Sequence, residues 1–467
     1  MREFLFVATG VCLAYFVAAF GAYALLLVFA ALDNAISSRD ARADDLRALE
    51  ESRFTIPVSV LVPVYNEAAV IRHVVAALRD LRYPELELVM AVDGSTDGTL
   101  EILRADLQLE PVARFERHIV DTKPVREVLR SRVDPRILVV AKENGGKADA
   151  LNCALNYARY RYVCCVDGDT IYLPEALLNT MRLVVRDPKS IVGITGHIAV
   201  AMQPERLTVD ADGRAMVENK LIANFQHIEY LRAFLNARLA WSRLGFMLCA
   251  SGAFAIWRRD LLEELGGFST EYTCEDIEFT FRAHEHLRRT GVDYRILSTP
   301  QIAARTEGPG TIRALVRQRE RWQRVTLEVI WSYRRMLLRR RYGVVGFVGM
   351  PFFLLTEVLA PPMELVSIVT LVLGIAYRVF DVRVYAVFLA SVAMANAIMT
   401  SAAILLEDIS TRAFRLDHLA RLVVLGPLEV LVYRPVLVWA RLKGFWRFLR
   451  KERSWETFDR NPRLASR

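Results

Sequence analysis

Apolar residues follow two different rhythms along this 467-residue chain. Phe4 to Leu32 holds no charged residue, and neither does Val384 to Leu406. Each run is long enough to cross about 30 Å of hydrocarbon as a helix. The first is far longer than the core of a secretory signal, about 7–15 residues, and Met1-Arg-Glu is barely basic, which predicts a retained anchor. Two further apolar stretches are interrupted. Gly343 to Tyr377 contains Glu357, Pro361-Pro362 and Glu364, and is expected as one kinked crossing or an interfacial helix followed by a short span. Leu422 to Trp439 contains Glu429 and Arg434-Pro435, and reads as re-entrant or surface-lying.

Between these ends the rhythm shortens. Asp33 to Arg53 is polar and helix-prone, a linker along a membrane surface. From Pro57, brief apolar runs alternate with amphipathic stretches. Strands are expected at Val58–Val62, Leu86–Val92, Ile137–Ala141, Tyr162–Val166 and from Ile191. Helices are expected at Ala68–Leu81, after Thr99, at Ala148–Arg159 and after Pro174. This alternation predicts an α/β fold with a parallel sheet and right-handed crossovers. Residues 105–136 have weak periodicity and read as an excursion. Val217–Arg243 is expected as a long amphipathic helix, Ser251–Trp257 as strand-like, Thr273–Asp276 as a helix start, and Arg313–Leu338 as an arginine-rich helix.

Composition adds a boundary on each reading. Hydrophobic residues make up 53%, and the +8 net charge is mostly arginine clustered beside apolar segments, at 334–335, 339–341 and 441–453. That pattern fits flanks facing anionic lipid on the cytoplasmic side, with the first residues outside. Nucleic acid is not expected as a partner, because no basic stripe is interleaved with exposed aromatics. The six cysteines have no disulfide-like spacing and read as small buried apolar residues in a reducing compartment. The expected organisation is an N-terminal transmembrane helix (1–33), an interfacial linker (34–54), a cytoplasmic catalytic domain (55–310), an amphipathic interfacial helix (311–342), C-terminal transmembrane or re-entrant helices (343–440) and a basic cytoplasmic tail (441–467).

The candidate chemistry clusters at strand ends, where α/β sheets bind ligands. The strand ending at Val166 runs into Asp167-Gly168-Asp169, two hard oxygen ligands suited to a Mg2+ or Mn2+ ion whose remaining positions go to substrate phosphate. An EF-hand is excluded, since Ile171 and Tyr172 stand where its loop needs a ligand and a glycine. Asp93 is placed to accept from a uracil imide nitrogen, with Tyr65 to stack on the base. Gly145-Gly146-Lys147 offers an anion site at a helix start, but it is not a Walker A loop, because Ala141 and Ala148 replace its first glycine and its hydroxyl residue. Glu275-Asp276 offers a general base, and Thr273-x-x-Asp276 also has the spacing of a capping box. Gln318, Arg321 and Trp322 share one helix face, an amide, a planar phosphate-binding fork and a stacking surface. On the same helix, Glu320 is expected to pair with Arg324, and Arg317, Arg319 and Arg324 are placed to face lipid.

In this order, from Val62-Pro-Val-Tyr65-Asn-Glu67 through Asp93 in Asp-Gly-Ser-Thr-Asp-Gly-Thr, Lys147 in Gly-Gly-Lys, Asp167-x-Asp169, Glu275-Asp276 and Gln318-x-x-Arg321-Trp322, residues 55–325 resemble the membrane-embedded family 2 glycosyltransferases. These are the cellulose, chitin, hyaluronan and poly-N-acetylglucosamine synthases. The resemblance implies a GT-A domain, Rossmann-like with a mixed sheet, joined to transmembrane helices. By it, Tyr65, Glu67, Asp93, Lys147, Asp167, Gln318 and Arg321 would hold a UDP-sugar donor, and Asp167 and Asp169 the metal. Ser251, Gly252, Phe254, Glu275 and Trp322 would meet the acceptor, and Asp276 would be the base of a single inverting displacement. It further implies that Asp169, Asp276 and Trp322 share one cavity, and that a homo-oligomer or an export partner assists the few spans in passing a polymer. Two alternatives stay open: addition of one sugar to a membrane lipid, and a non-catalytic scaffold of the same fold. The literal Asp93-x-Ser95-x-x-Gly98 also matches a cyclic-dinucleotide receptor pattern, but lies inside the uridine loop.

Overall fold

The computed structural model describes residues 2–52, 54–201, 221–379, 381–411 and 416–452. They form two compact units, one over Ile36–Pro204 and Met247–Glu307, the other over Met1–Ala35, Glu205–Phe246 and Gly308–Asp459.

The first unit is built on one ten-stranded sheet. In chain order its strands are β1 Val58–Val64, β2 Leu86–Asp93, β3 Leu109–Pro111, β4 Val125–Ser131, β5 Ile137–Lys142, β6 Tyr162–Val166, β7 Ile171–Tyr172, β8 Ile191–Ala201, β9 Phe254–Arg258 and β10 Arg295–Glu307. Across the sheet they lie in the order β3-β4-β5-β2-β1-β6-β9-β8-β10-β7. The central β5, β2, β1 and β6 are parallel and buried along their whole length, so they read as mostly apolar runs, with Ser59 and Glu87 the polar residues short of the strand ends. The rest of the sheet is mixed, because β9 runs antiparallel to both β6 and β8.

The chain steps from β1 outward to β2 and later returns to the other side of β1 as β6. The carboxyl ends of β1 and β6 therefore flank a topological switch point, where ligands bind in open α/β sheets. Gly168 lies there, and a Cβ on it would sit 2.6 Å from the Pro63 carbonyl oxygen. Only glycine lets the Asp167–Asp169 turn approach the β1 loop so closely.

Several expectations need correction. The 105–136 stretch contains β3 and β4, an antiparallel pair at the sheet edge. β4 is only partly buried, which is why its periodicity was weak. The whole of β10 was also unmarked. It holds Pro300 and pairs with β8 through three register shifts, so neither alternation nor an apolar run survives in its sequence. The 34–54 linker, by contrast, is helical over most of its described length, in keeping with its helix-prone sequence. The helix Arg2–Ala43 continues into it, and Asp45 caps a further turn, Leu46–Glu51. Asp40 and Asp44 bind Arg186 and Arg182 of the helix Ala176–Arg186, the Arg182–Asp44 pair at 2.8 Å.

In the second unit, the helices Arg2–Ala43 and Val382–Thr411 are long and apolar enough to cross a membrane. Two bent pairs, Val345–Val358 with Ala360–Ala376 (43°) and Ala420–Val432 with Arg434–Leu449 (50°), bring the number among the described residues to four if each is one span. The helix expected at 217–243 runs from Leu221 to Leu244 with a π-helical stretch at Arg232–Arg238, and residues 217–220 lie outside the described residues. Ile312–Ser332 is helical, started by the Thr311 side chain accepting from the Ala314 N–H at 3.2 Å.

This helix lies tight against Arg434–Leu449, where a Cβ on Gly444 would fall 2.4 Å from the Glu320 carbonyl oxygen. Glu320 is 3% exposed and pairs with Arg447 at 3.1 Å across this contact, not with Arg324 along its own helix. Arg319 and Arg324 are likewise buried, so these two arginines, expected to face lipid, instead fill a packed polar layer, while Arg317 is half-buried. Helix-to-helix burial, not exposure, decided the orientation of these charges. The first part of the expected tail is also helical, with Arg441 bound to Glu357 at 2.7 Å, while residues 453–467 lie outside the described residues.

Candidate active site

Four loops meet at the carboxyl ends of the parallel strands. After β1, Asn66 takes a left-handed backbone (φ 54°), and its side-chain oxygen accepts from the Thr96 N–H at 2.8 Å. Its own N–H donates to Ser95, and the Ala68 N–H donates to Asp97 at 3.0 Å. The Tyr65–Glu67 loop is thereby fastened to the Asp93–Thr99 loop. Tyr65 is left 42% exposed at the surface, while Glu67 is buried.

Asp93 ends β2 and is 2% exposed. Its carboxylate accepts from the Lys142 ammonium at 2.7 Å, from the Gly145 N–H at 2.9 Å and from the Gly146 N–H at 2.8 Å. Lys142 is itself fully buried and also binds Asp149. Burial opposes its charge, but the two carboxylates outweigh that cost and raise its pKa. Asp93 thus fixes the course of the Gly145-Gly146 loop, and nothing in the sequence marked Lys142 as its partner. Gly146 has φ +89°, which favours glycine where the helix Lys147–Tyr157 begins.

Lys147 opens that helix and reaches across the strand ends. Its Nζ lies 2.6 Å from Asp167 Oδ1 and 2.7 Å from Glu275 Oε1. Burial works against the ammonium, yet Asp167, Glu275 and Asp276 together hold its pKa well above the ordinary lysine value. Burial also raises Glu275, with the Asp276 charge adding to it and Lys147 opposing. The Asp276 Oδ2 accepts from the Gly252 N–H at 2.8 Å, and Oδ1 from the Ile277 N–H at 2.8 Å. The helix Glu275–Thr290 starts on Cys274 with no side-chain cap bond, so the capping-box pattern at Thr273 is not used. That leaves Asp276 bound to backbone donors on both oxygens. Gly252 is held so closely that a Cβ would lie 3.1 Å from both Glu275 Oε1 and Lys147 Nζ.

The acidic turn is braced from below. The Tyr172 hydroxyl accepts from the Asp167 N–H at 2.7 Å and lies 2.9 Å from the Asp167 carbonyl and 3.1 Å from that of Ala253. Phe254 pairs with Val166 in the sheet, is 1% exposed and packs on the Tyr172 ring, so its side chain belongs to the core. Ser251 is half-buried, its N–H donating to Thr195 at 3.1 Å. Tyr172 was noticed in the sequence only for excluding an EF-hand, and a tyrosine after a short acidic turn carries no signal of this role.

Asp167 is half-buried and Asp169 exposed. Among the described residues no group of three His, Cys, Asp or Glu side chains gathers around a common point. Two carboxylate oxygens from one turn suit a Mg2+ or Mn2+ ion that draws its other ligands from phosphate and water. Gln318, Arg321 and Trp322 lie on the helix Ile312–Ser332 of the second unit, where Trp322 is 36% exposed and Gln318 and Arg321 are half-buried.

The mixed sheet with its acids at the strand ends is of the GT-A type. The profile of the family described as Glycosyl transferase family 2 matches residues 59–266, and that stretch is a family 2 glycosyltransferase domain. The chain is 26% identical over 279 residues to a poly-beta-1,6-N-acetyl-D-glucosamine synthase of Staphylococcus epidermidis, covering 59% of this chain and 57% of that one. It is 26% identical over 273 residues to a protein of the same description from Staphylococcus aureus strain COL, covering 58% and 55%. The chain therefore spans little more than half the length of these curated relatives. Among solved structures, it is similar in fold to a mannosyltransferase from Pyrobaculum calidifontis in complex with GDP-Man and Mn2+. The TM-score is 0.56 at 18% identity, over 96% of this chain and 100% of that one.

Proposed function

We propose that this chain is an inverting, metal-dependent glycosyltransferase that uses a UDP-sugar, UDP-N-acetylglucosamine ahead of UDP-glucose, to build a β-linked cell-envelope polysaccharide. The observation that carries it is the cluster of Lys147, Asp167, Glu275 and Asp276 at the sheet's switch point, inside a family 2 glycosyltransferase domain. The names of the staphylococcal relatives favour N-acetylglucosamine. The basic flanks favour a plasma-membrane protein with its catalytic domain cytoplasmic.

In this reading Asp276 takes the proton from an acceptor hydroxyl as that oxygen attacks the anomeric carbon, and the bond from that carbon to the diphosphate oxygen breaks. Two backbone N–H donors hold the carboxylate ready. Lys147 stands where a diphosphate needs a cation, and on donor binding it exchanges one carboxylate partner for phosphate oxygen. A divalent ion, held by Asp167 and Asp169, would add positive charge against the leaving diphosphate. Tyr65, Glu67 and Asp93 are assigned to the nucleotide side, Asp93 by shaping the loop before Lys147. Gln318 and Arg321 are assigned to the diphosphate and Trp322 to the acceptor sugar. One base suffices, so no covalent sugar–enzyme species forms.

The test is full-length protein purified in detergent, given Mg2+ or Mn2+ and a panel of UDP-sugars. UDP release from UDP-N-acetylglucosamine, with a product that runs as a high-mass smear, is the expected result. A product that extracts into organic solvent would make it a single-addition glycolipid enzyme. No nucleotide release from any donor would leave a scaffold.

A further inference from the structure

Arg319 follows Gln318 and precedes Trp322 by three positions on the helix Ile312–Ser332, and it is 4% exposed. Its Nη2 donates to Glu229 Oε2 at 2.7 Å, and its Nη1 to Gln318 Oε1 at 2.6 Å. The centre of the guanidinium lies 4.2 Å from the middle of the Trp322 ring. Glu229 is fixed in turn, because the same Oε2 accepts from the Tyr433 hydroxyl at 2.7 Å. Tyr433 stacks on Phe225 with ring centres 5.4 Å apart. Tyr230, next to Glu229, closes the group with its ring 6.4 Å from that of Trp322.

A buried arginine is costly unless its charge is paired, and Glu229 supplies the pair. Burial opposes the Glu229 charge, but Arg319 and the Tyr433 hydroxyl outweigh it and hold its pKa below the usual range. The outcome of this assembly is an indole that is 36% exposed yet backed by a buried guanidinium held through both of its Nη atoms. A guanidinium plane lies flat against an aromatic face, whereas an ammonium acts as a point charge. Holding a contact side chain in place beforehand removes the ordering cost that binding would otherwise carry.

We infer that Arg319 is a positioning residue: the Glu229–Arg319 pair locks the Trp322 indole in the orientation that receives an acceptor sugar. This rests on the role proposed above for Trp322. Arg319→Lys keeps the charge beside Glu229, so the protein folds, but loses the plane. With full-length enzyme, UDP-N-acetylglucosamine and a short β-linked N-acetylglucosamine oligosaccharide, Arg319→Lys raises the KM for the oligosaccharide roughly tenfold, about 1.4 kcal/mol, and the KM for the donor less than about twofold. Tyr433→Phe loosens Glu229 without removing a charge, and shifts the oligosaccharide KM the same way by a smaller factor.

An unchanged oligosaccharide KM in Arg319→Lys overturns the inference. So does a parallel rise in both KM values, the mark of a structural role. Trp322→Ala separates the two levels of the proposal. If it raises the oligosaccharide KM and Arg319→Lys does not, the positioning role alone fails. If Trp322→Ala has no effect, the acceptor role of Trp322 fails and the positioning role with it.

Discussion

The Gly252 N–H donates to Asp276 Oδ2 at 2.8 Å, tying the loop before β9 to the first turn of the helix Glu275–Thr290. Through this one bond the proposed base and the segment assigned to the acceptor keep a fixed relation. The bond needs the loop backbone against the acids, and only a residue without Cβ fits there. Gly252→Ala pushes a methyl into contacts of 3.1 Å with Glu275 Oε1 and Lys147 Nζ and 3.2 Å with Asp276 Cβ. Steady-state transfer is expected to fall by about tenfold, because the acids and Lys147 must shift by a few tenths of an ångström from the geometry that positions the base. Thermal unfolding should change less than transfer does, because two of the three crowded atoms, Glu275 Oε1 and Lys147 Nζ, are side-chain ends that can give way.

Lys147 bridges Asp167 and Glu275, so its removal leaves neighbouring carboxylates without a cation. Lys147→Met should weaken UDP-sugar binding by about tenfold or more, since a charge-assisted bond contributes roughly 1.5–3 kcal/mol. Because Lys147 opposes the upward shift of Glu275, its loss raises that carboxyl further. Calorimetric titration with UDP checks the first effect, and wild-type affinity in the variant would contradict it.

His284 shows a pH dependence that belongs to the fold, not to the site. It is 1% exposed, with its ring nitrogens bound to the Tyr294 hydroxyl and the Met247 carbonyl. Burial pushes its pKa from 6.5 down to about 4. Above pH 6.5 the ring is neutral in both states and its full contribution to stability is present. As pH falls from 6.5 towards 4 only the unfolded chain takes up the proton, which removes about 1.4 kcal/mol per pH unit, roughly 3 kcal/mol in all. Unfolding temperatures measured from pH 7.5 to 4.5 should therefore fall more steeply in wild type than in His284→Gln. Equal slopes would mean that the folded ring takes up its proton over the same pH range as the unfolded one, contrary to the downward shift.

How far the sequence could be read depended on which interactions are local. The central strands were legible because burial on both faces leaves mostly apolar runs such as Val60–Val64 in β1. Asp167, Asp169 and Lys147 were legible because they sit at strand and helix ends, where spacing along the chain sets position in space. β4 and β10 were not, since one is only partly buried, second from the sheet edge, and the other is broken by Pro300 and three register shifts. Lys142 and Arg319 act through partners 49 and 90 positions away, and Tyr172 ties the acidic turn to Ala253, 81 positions away; such pairings leave no periodic trace. Glu320 misled for the same reason, as an available partner on its own helix lost to Arg447 on another.

Glu87 carries much of the stability where β2 begins. Its side chain is 2% exposed and accepts from Ser59 at 2.7 Å, from Arg159 at 2.7 Å (N–H) and 2.8 Å (Nε), and from Arg114 at 3.2 Å. Burial opposes its charge, but these donors outweigh it and lower its pKa. Glu87→Ala strands the half-buried Arg114 and should cost about 3 kcal/mol in unfolding free energy at neutral pH. A loss below about 1 kcal/mol, in the range of a surface pair, would contradict it.

The central claim is that Asp276 removes the acceptor proton in a site whose donor side is built by other residues. Asp276→Asn keeps the shape of the side chain and an oxygen able to accept from the Gly252 N–H, but cannot take up a proton. Comparing UDP-dependent sugar transfer and donor affinity in this variant and wild type is the most direct measurement. Transfer should drop by about 10²–10⁴-fold while the donor dissociation constant stays within about twofold. Transfer at a tenth of the wild-type rate or above would show that another group is the base.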